Sequence, residues 1–423
     1  MTASSLYNMV DSIFIGHGVG PLAISGLAIT FPLMNLAAAF GSLVGVGAST
    51  LVSVKLGQKD YATAQNILGN VVTLNFIIGI GFSILTLLFL DPILYFFGAS
   101  PDTISYARDY MVIILLGNVI THMYLGLNAL LRASGHPQKA MTATITTVII
   151  NTILDPIFIY LFHWGIQGAA IATMLSQVVG GLLPVFYFLN RKNTSLLHLC
   201  RPQFEGGVLL KACVNGSSEL MTNLSMSLVN ILYNYQLLRF AGEDGVAAYG
   251  VIMYASFLFV AVFVGYAVGS APIVSYHYGA NNRKEVNNLY RKSLKLIGVV
   301  AVVMTIGSMF IIPHVARFFV GYDENLLILT TRAFRLYGLS FLIMGFNVYA
   351  SSFFTALGDG VTSALISFLR TLLFQVAAVL LLPLLLGIDG IWLAVTAAEL
   401  AALLVSIGLF ITRDQQFHYR KAE

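Results

Sequence analysis

Residues 165–172 read Gly-Ile-Gln-Gly-Ala-Ala-Ile-Ala, and residues 387–394 read Gly-Ile-Asp-Gly-Ile-Trp-Leu-Ala. The same glycine spacing thus returns after 222 residues. This shift also places the stretch 52–57 (Val-Ser-Val-Lys-Leu-Gly) on the stretch 274–279 (Val-Ser-Tyr-His-Tyr-Gly), and a shift of 223 places Gly135 on Gly358. Several matches in register, each near the end of an apolar segment, predict that the chain contains an internal repeat.

The composition is that of an integral membrane protein. Of the 423 residues, 58% are hydrophobic and 9% are charged, and the mean hydropathy is +0.85. Soluble domains carry about 25% charged residues, so this chain could not cover its surface in water. The 29 Phe and 20 Tyr exclude a disordered chain, and two cysteines provide neither a disulfide framework nor a zinc motif.

Apolar segments long enough to cross a bilayer, which takes about 20 helical residues, recur along the chain. They lie near residues 26–54, 66–90, 106–131, 138–162, 166–189, 212–240, 246–276, 288–313, 326–355, 361–386 and 389–411. None shows the period-two alternation of a transmembrane barrel strand, so the class is all-α. Residues 1–15 are apolar but few, and they form either an interfacial segment or a spanning helix whose first turns are missing.

Basic residues orient these segments, because loops on the cytoplasmic side carry an excess of Lys and Arg. Sixteen of the 22 basic residues lie in alternate breaks and in the C-terminal tail. The opposite breaks carry mainly acids. This alternation holds if residues 1–15 count as a span, which predicts about twelve helices, a cytoplasmic linker and a cytoplasmic C-terminus.

The repeat predicts two six-helix bundles that insert with the same orientation, related by a pseudo-two-fold axis along the membrane normal. We expect an N-lobe at 1–190 (helices 1–6), a linker at 191–210, a C-lobe at 211–413 (helices 7–12) and a tail at 414–423. Two such bundles facing a cleft suit alternating access, which indicates a transporter. The sequence has no nucleotide-hydrolysis motif, so uphill transport would depend on an ion gradient.

Ionisable residues inside spans are costly and are functional candidates by default. The acids in this position are Asp11, Asp155, Glu219 and Glu399. Asn151 and Asp155 are four residues apart, and Asn8 and Asp11 are three apart, so each pair shares a helix face. Pro156 has no N–H, which leaves a backbone carbonyl free beside Asp155.

We expect Asp11, Asp155, Asn8 and Asn151 to hold the coupling ion. Removal from water favours the protonated form of a carboxyl group, so the pair could carry a proton. Carboxylate and amide oxygens could instead bind Na⁺ at Asp11 and Asp155. The alternative is that both acids lie near the membrane surface, where they cap helices or meet water.

Two further polar positions are candidates for substrate binding. Glu219 lies about two turns into the seventh helix among Ser217, Ser218 and Asn223, and it either faces the cavity or extends to the inner surface. Gln177 corresponds in the repeat to Glu399, so a polar group recurs there. For Glu399, interhelical hydrogen bonding is the favoured interpretation, and a functional role is the alternative.

Four stretches together resemble the multidrug and toxic compound extrusion (MATE) family, on its DinF-like and MepA-like side. They are 7–16 (Tyr-Asn-Met-Val-Asp-Ser-Ile-Phe-Ile-Gly), 131–135 (Leu-Arg-Ala-Ser-Gly), 151–156 (Asn-Thr-Ile-Leu-Asp-Pro) and 165–173 (Gly-Ile-Gln-Gly-Ala-Ala-Ile-Ala-Thr). The resemblance covers essentially the whole chain. It implies two six-helix lobes and antiport of organic cations against Na⁺ or H⁺.

The family's N-lobe site matches this sequence at Tyr7, Asp11, Asn151, Asp155 and Thr173. The resemblance therefore adds Tyr7 and Thr173 to the candidate substrate site, beside Asn151, Asp155, Gln177 and Glu219. Family members carry some twenty or more residues before the Tyr-Asn pair, so the first helix is expected to be truncated here.

The resulting hypothesis is a multi-pass transporter of the bacterial cytoplasmic membrane that exports organic cations as a monomer. It is not an enzyme, binds no nucleic acid and needs no cofactor beyond the coupling ion. The main alternative is a flippase for a lipid-linked oligosaccharide from the same wider superfamily. A flippase should line its cavity with Arg and Lys to hold a diphosphate, whereas bases within these spans are few.

Overall fold

The structure is a computed structural model that describes residues 14–16, 18–193, 195–321 and 323–419. The predicted site residues Tyr7, Asn8 and Asp11 lie outside these ranges. Within the ranges the secondary structure is helical, without a β-strand. This agrees with the predicted class, because a helix satisfies its own backbone N–H and C=O groups where water is absent.

The first compact unit extends to Leu220. Its helices are α1 (Pro21–Gly57), α2 (Tyr61–Leu88), α3 (Leu90–Phe96), α4 (Ile104–Ala133), α5 (Pro137–Pro156) with the π-helical segment Ile157–Leu161, and α6 (Gly165–Leu189). Helix α7 (Gly206–Gly279) begins in this unit, and its backbone leaves helical geometry at Gly242 (φ 62°, ψ −150°).

The second compact unit begins at Met221, within α7. Its further helices are α8 (Arg283–Val320), α9 (Glu324–Gly338), α10 (Phe341–Ala356), α11 (Gly360–Phe368), the π-helical segment Leu369–Leu373, α12 (Phe374–Leu386), α13 (Ile388–Thr412) and α14 (Asp414–Phe417).

Helices cover each of the apolar segments predicted from 26–54 onward. Nine helices among the described residues are long and apolar enough to cross a membrane, with each π segment counted in its helix. The break at Gly242 divides α7 into two stretches. Helices α9 and α10, bent by 46° at their junction, form one more broken span.

The internal repeat is visible in the backbone. Residues with positive φ recur in both copies at shifts of 222 or 223. The pairs are Gly20 (118°) with Gly242 (62°), Lys59 (60°) with Asn281 (56°), Gly135 (83°) with Gly358 (83°), and Gly165 (57°) with Gly387 (59°). Because residues other than glycine seldom adopt positive φ, Lys59 and Asn281 show that the same turn follows the corresponding helix in each copy.

Buried hydroxyl groups repeat the same contact in each unit. Ser53 Oγ donates to the carbonyl of Ala133 (3.4 Å), and Ser275 Oγ donates to the carbonyl of Ala356 (2.8 Å). All four positions correspond under the repeat shift. The two copies therefore share these turns and this contact between helices.

The chain that follows α6 folds back onto α2. Leu199 N donates to the carbonyl of Phe188 (2.9 Å), and Asn70 Nδ2 donates to the carbonyl of Gln203 (2.8 Å). These contacts attach much of the predicted linker to the first unit.

Candidate functional site

A buried polar cluster lies at the end of α5. The side chains of Asp155 and Asn151 are 0% and 1% exposed. Asn151 Nδ2 donates to Asp155 Oδ1 (3.2 Å) and to Thr173 Oγ1 on α6 (3.3 Å). One amide therefore connects the carboxylate with a second helix.

The local sequence explains the position of the carboxylate. Asn151 and Asp155 are four residues apart and share one face of α5, as their spacing predicts. Pro156 cannot donate to the carbonyl of Thr152, and the π segment Ile157–Leu161 follows it directly. Asp155 thus stands beside an interruption of regular α-helix, a feature frequent at functional sites.

Two glycines bring α6 against this interruption. Gly165 begins α6 with φ 57°, a backbone conformation that favours glycine. A Cβ atom on Gly168 would lie 3.0 Å from the backbone of Phe158 in the π segment, and one on Gly390 would lie 2.5 Å from the backbone of Leu382. The repeated Gly-x-x-Gly pattern is therefore a packing requirement, and it brings Thr173 within reach of Asn151.

The start of the described chain contacts the same π segment. Tyr160 OH donates to the carbonyl of Phe14 (3.2 Å). A Cβ atom on Gly18 would lie 2.3 Å from a methyl carbon of Ile159. The chain that follows the predicted acid Asp11 thus packs against the segment that follows Asp155.

Gln177 lies one turn beyond Thr173 on α6. Its Oε1 accepts a hydrogen bond from the hydroxyl of Thr121 on α4. Among the predicted site residues, the structure brings Asn151, Asp155 and Thr173 into direct contact. It places Gln177 one turn further along α6, bonded to α4.

Glu219 belongs to a different polar group. Its carboxylate lies within electrostatic range of Arg132 at the end of α4, whose guanidinium donates to Asn128 Oδ1. Asn128 Nδ2 donates to the carbonyl of Ala140 (3.1 Å) near the start of α5. Ala140 precedes Asp155 by 15 residues, a rise of about 22 Å along the helix, so the structure does not join Glu219 to Asp155.

The second unit contains a charged cluster of its own. Glu399 on α13 is 1% exposed and lies 3.7 Å from Arg370, measured from Oε1 to Nη1. Asn347 Nδ2 donates to Glu399 Oε2 (2.7 Å), and Ser406 Oγ donates to Asn347 Oδ1 (3.1 Å). Glu399 thus faces a guanidinium, whereas Asp155 accepts from the neutral amide of Asn151.

Sequence reasoning identified Glu399 but not its partners. Arg370 lies on the π segment Leu369–Leu373, and Asn347 lies on α10. The one signal for Arg370 is that it is a base in the middle of an apolar span. No local pattern in the sequence points to Asn347.

The family model described as MatE matches residues 1–157 and 220–380, which is most of the chain. This chain belongs to the MATE family. A curated relative, the multidrug export protein MepA of Staphylococcus haemolyticus (strain JCSC1435), is 25% identical over 414 residues, which cover 97% of this chain and 90% of MepA.

Solved MATE structures share the fold. A crystal structure of MATE in complex with MaL6 superposes with a TM-score of 0.93 at 25% identity, covering 99% of this chain and 94% of that one. The outward-facing conformation of a multidrug resistance MATE family transporter of the MOP superfamily gives a TM-score of 0.92 at 25% identity, covering 99% and 93%. These matches confirm the predicted class, a multi-pass membrane transporter of two six-helix bundles.

Proposed function

We propose that this MATE-family chain is a secondary active antiporter that exports cationic amphipathic compounds in exchange for Na⁺ or H⁺ by alternating access. The observation that carries the proposal is the buried contact of Asp155 with Asn151, at an interrupted helix inside the membrane-spanning part of the first unit. The names of the MepA relative and of the solved transporters support the multidrug assignment.

The chemistry of the cluster suits reversible binding of a small cation. A carboxylate without water is costly, and binding H⁺ or Na⁺ would neutralise it. Asn151 supplies an amide that is held by Thr173 as well as by Asp155. Its Oδ1 atom is buried without a hydrogen-bond partner among the described residues, so it is an additional oxygen available to a bound cation or to a water molecule.

The second acid of the proposed ion site is Asp11, assisted by Asn8, with Tyr7 beside the substrate. The contact of Tyr160 with the carbonyl of Phe14 supports this assignment. Phe14 follows Asp11 by three residues, and Tyr160 follows Asp155 by five.

The polarity of the cluster favours a cationic substrate over a lipid-linked diphosphate. It offers a carboxylate, an amide and a hydroxyl, at Asp155, Asn151 and Thr173. Gln177, one turn further along α6, adds a second amide. Arg370, a base in the middle of an apolar span, faces Glu399. A flippase would need such cations for the substrate, whereas organic cations are attracted by carboxylates and aromatic faces.

An ion gradient is sufficient to drive such an exchange. One charge moving through 100 mV contributes about 2.3 kcal/mol, and a tenfold ion gradient contributes about 1.4 kcal/mol. Together they support a concentration ratio of several hundred for one-for-one exchange of an ion with a neutral substrate. Exchange of a monovalent cation for one monovalent ion moves no net charge, so the membrane potential does not contribute. The tenfold ion gradient alone would then support a substrate concentration ratio of about ten.

The experiment is transport in vesicles containing the purified chain, with a Na⁺ gradient or a pH gradient imposed separately. A panel of cationic dyes and one anionic dye would be followed by fluorescence. We expect uphill movement of several cationic dyes under one of the two gradients and none of the anionic dye. Transport of an anionic or lipid-linked substrate, with no cation moved under either gradient, would favour the flippase.

A further inference from the structure

Three arginines in the second unit line one cavity. It lies between α8 and α9 and has a volume of about 590 Å³, within the usual range for ligand sites. Arg317 comes from α8, and Arg332 and Arg335 come from α9. The rest of the lining is apolar apart from one hydroxyl, and consists of Pro313, Leu327, Ile328, Thr331 and Leu336.

The positive charge of this cavity is only partly compensated. Arg332 forms an ion pair with Asp389. In the part of the chain that the structure describes, no carboxylate lies within ion-pair distance of Arg317 or Arg335. No acid lines the cavity itself, so it offers guanidinium groups to an anion.

The location of these arginines is unusual for a membrane protein. The turn between α8 and α9 lies on the side that the basic residues predict to face outward, where Lys and Arg are disfavoured. Arg335 is 11 residues into α9, at most about 17 Å along its axis. Helix α9 belongs to a candidate broken span, and a charge within a span is costly without a partner, which favours a partner supplied by the membrane.

The surface beside the cavity is apolar and exposed. Ile328 lines the cavity and is 62% exposed. Phe318, next to Arg317 in the chain, is 82% exposed. In a chain that crosses the bilayer, such residues face lipid tails, so a ligand with both an anionic group and hydrocarbon chains fits this part of the surface.

We propose that the cavity between α8 and α9 binds one anionic phospholipid. Its phosphate would lie among Arg317, Arg332 and Arg335, and its acyl chains would lie along Ile328 and Phe318. The planar guanidinium group donates two parallel hydrogen bonds to a phosphate. One of the three guanidinium groups is paired, with Asp389, and no described carboxylate belongs to the lining, which favours a headgroup with net negative charge over a zwitterionic one.

The test is native mass spectrometry of the full chain, delipidated in detergent and titrated with phosphatidylglycerol or phosphatidylcholine. We expect one phosphatidylglycerol to bind at least tenfold more tightly than phosphatidylcholine. The double variant Arg317→Gln/Arg335→Gln should lose this preference. Both side chains are exposed, so the fold should persist, as an unchanged elution volume and melting temperature would verify.

Arg239→Gln is the matched control, because Arg239 lies near the break at Gly242 on the same predicted side and stacks on Phe240 (5.8 Å). It should leave the preference intact. Equal binding of the two lipids, or a preference that survives in the double variant, would overturn the proposal. Displacement of the lipid by an equal concentration of inorganic phosphate would also overturn it, in favour of a site for a soluble anion. The readout is lipid binding, so the result does not depend on the proposed efflux.

Discussion

The ion pair of Arg370 and Glu399 allows a quantitative prediction about stability. Arg370→Met leaves Glu399, which is 1% exposed, without a guanidinium. To remain buried the carboxyl group must take up a proton, which for an ordinary glutamate costs about 4 kcal/mol at pH 7 and about 1 kcal/mol at pH 5. The loss of stability should therefore shrink as the pH falls.

Glu399→Gln should behave differently. It leaves the Arg370 guanidinium without its anion, and a guanidinium cannot lose its proton. Its destabilisation, about 3–5 kcal/mol when a buried pair is broken, should be nearly the same at both pH values. The double variant Arg370→Met/Glu399→Gln should recover most of the stability, because neither charge is left alone and Gln can still accept from Asn347.

The assay is the midpoint of thermal aggregation in detergent, measured relative to the unmodified chain at pH 7 and pH 5. For a unit of this size, a loss of about 1 kcal/mol in stability lowers the midpoint by about 2–4 °C. The midpoint of Arg370→Met should therefore be lower than that of the unmodified chain by about 8–16 °C at pH 7 and by about 2–4 °C at pH 5. An equal deficit at both pH values, or none at pH 7, would refute the reasoning.

Three other predictions concern the site, the packing and the topology. Asn151→Ala removes the amide oxygen offered to a bound Na⁺ and the two hydrogen bonds that position the amide, a loss of about 1–3 kcal/mol. The Na⁺ concentration for half-maximal transport under a Na⁺ gradient should therefore rise between about fivefold and 150-fold. Thr173→Ser, which keeps the hydroxyl, should change it little, and equal effects of the two variants would contradict this role. Gly390→Val should abolish folded protein, because a Cβ atom there lies 2.5 Å from the backbone of Leu382, whereas Gly408→Ala has open space; a normal yield of Gly390→Val would contradict the packing argument. Lys192→Cys, in a background without other cysteines, should resist labelling by an impermeant thiol reagent added outside intact cells. Rapid labelling would show that the linker faces outward, contrary to the predicted orientation.

The fold could be predicted because membrane helices depend on length and hydropathy, and because the repeat preserves local rules. Gly165 and Gly387 both need positive φ, and Gly168 and Gly390 both permit a close backbone approach. These requirements are local, so they leave a pattern in the sequence.

The site could be predicted only where the contact is local. The shared face of Asn151 and Asp155 follows from a spacing of four residues. The hydrogen bond from Asn151 to Thr173 depends on how closely α6 packs on the π segment Ile157–Leu161. The approach of Arg370 to Glu399 depends on how the span that contains Arg370 packs against α13. Such distances are set by tertiary packing, for which the sequence carries no short-range signal.

The most direct test of the central claim is active efflux by Asp155→Asn, in vesicles with the driving gradient imposed. The matched control is Asp109→Asn on α4, whose carboxylate accepts from Gln167 (3.0 Å) and has no proposed role in transport. We predict that Asp155→Asn inserts and folds but accumulates no cationic dye against a gradient, while Asp109→Asn transports as the unmodified chain does. A normal dye gradient built by Asp155→Asn would contradict the role of Asp155 in ion coupling.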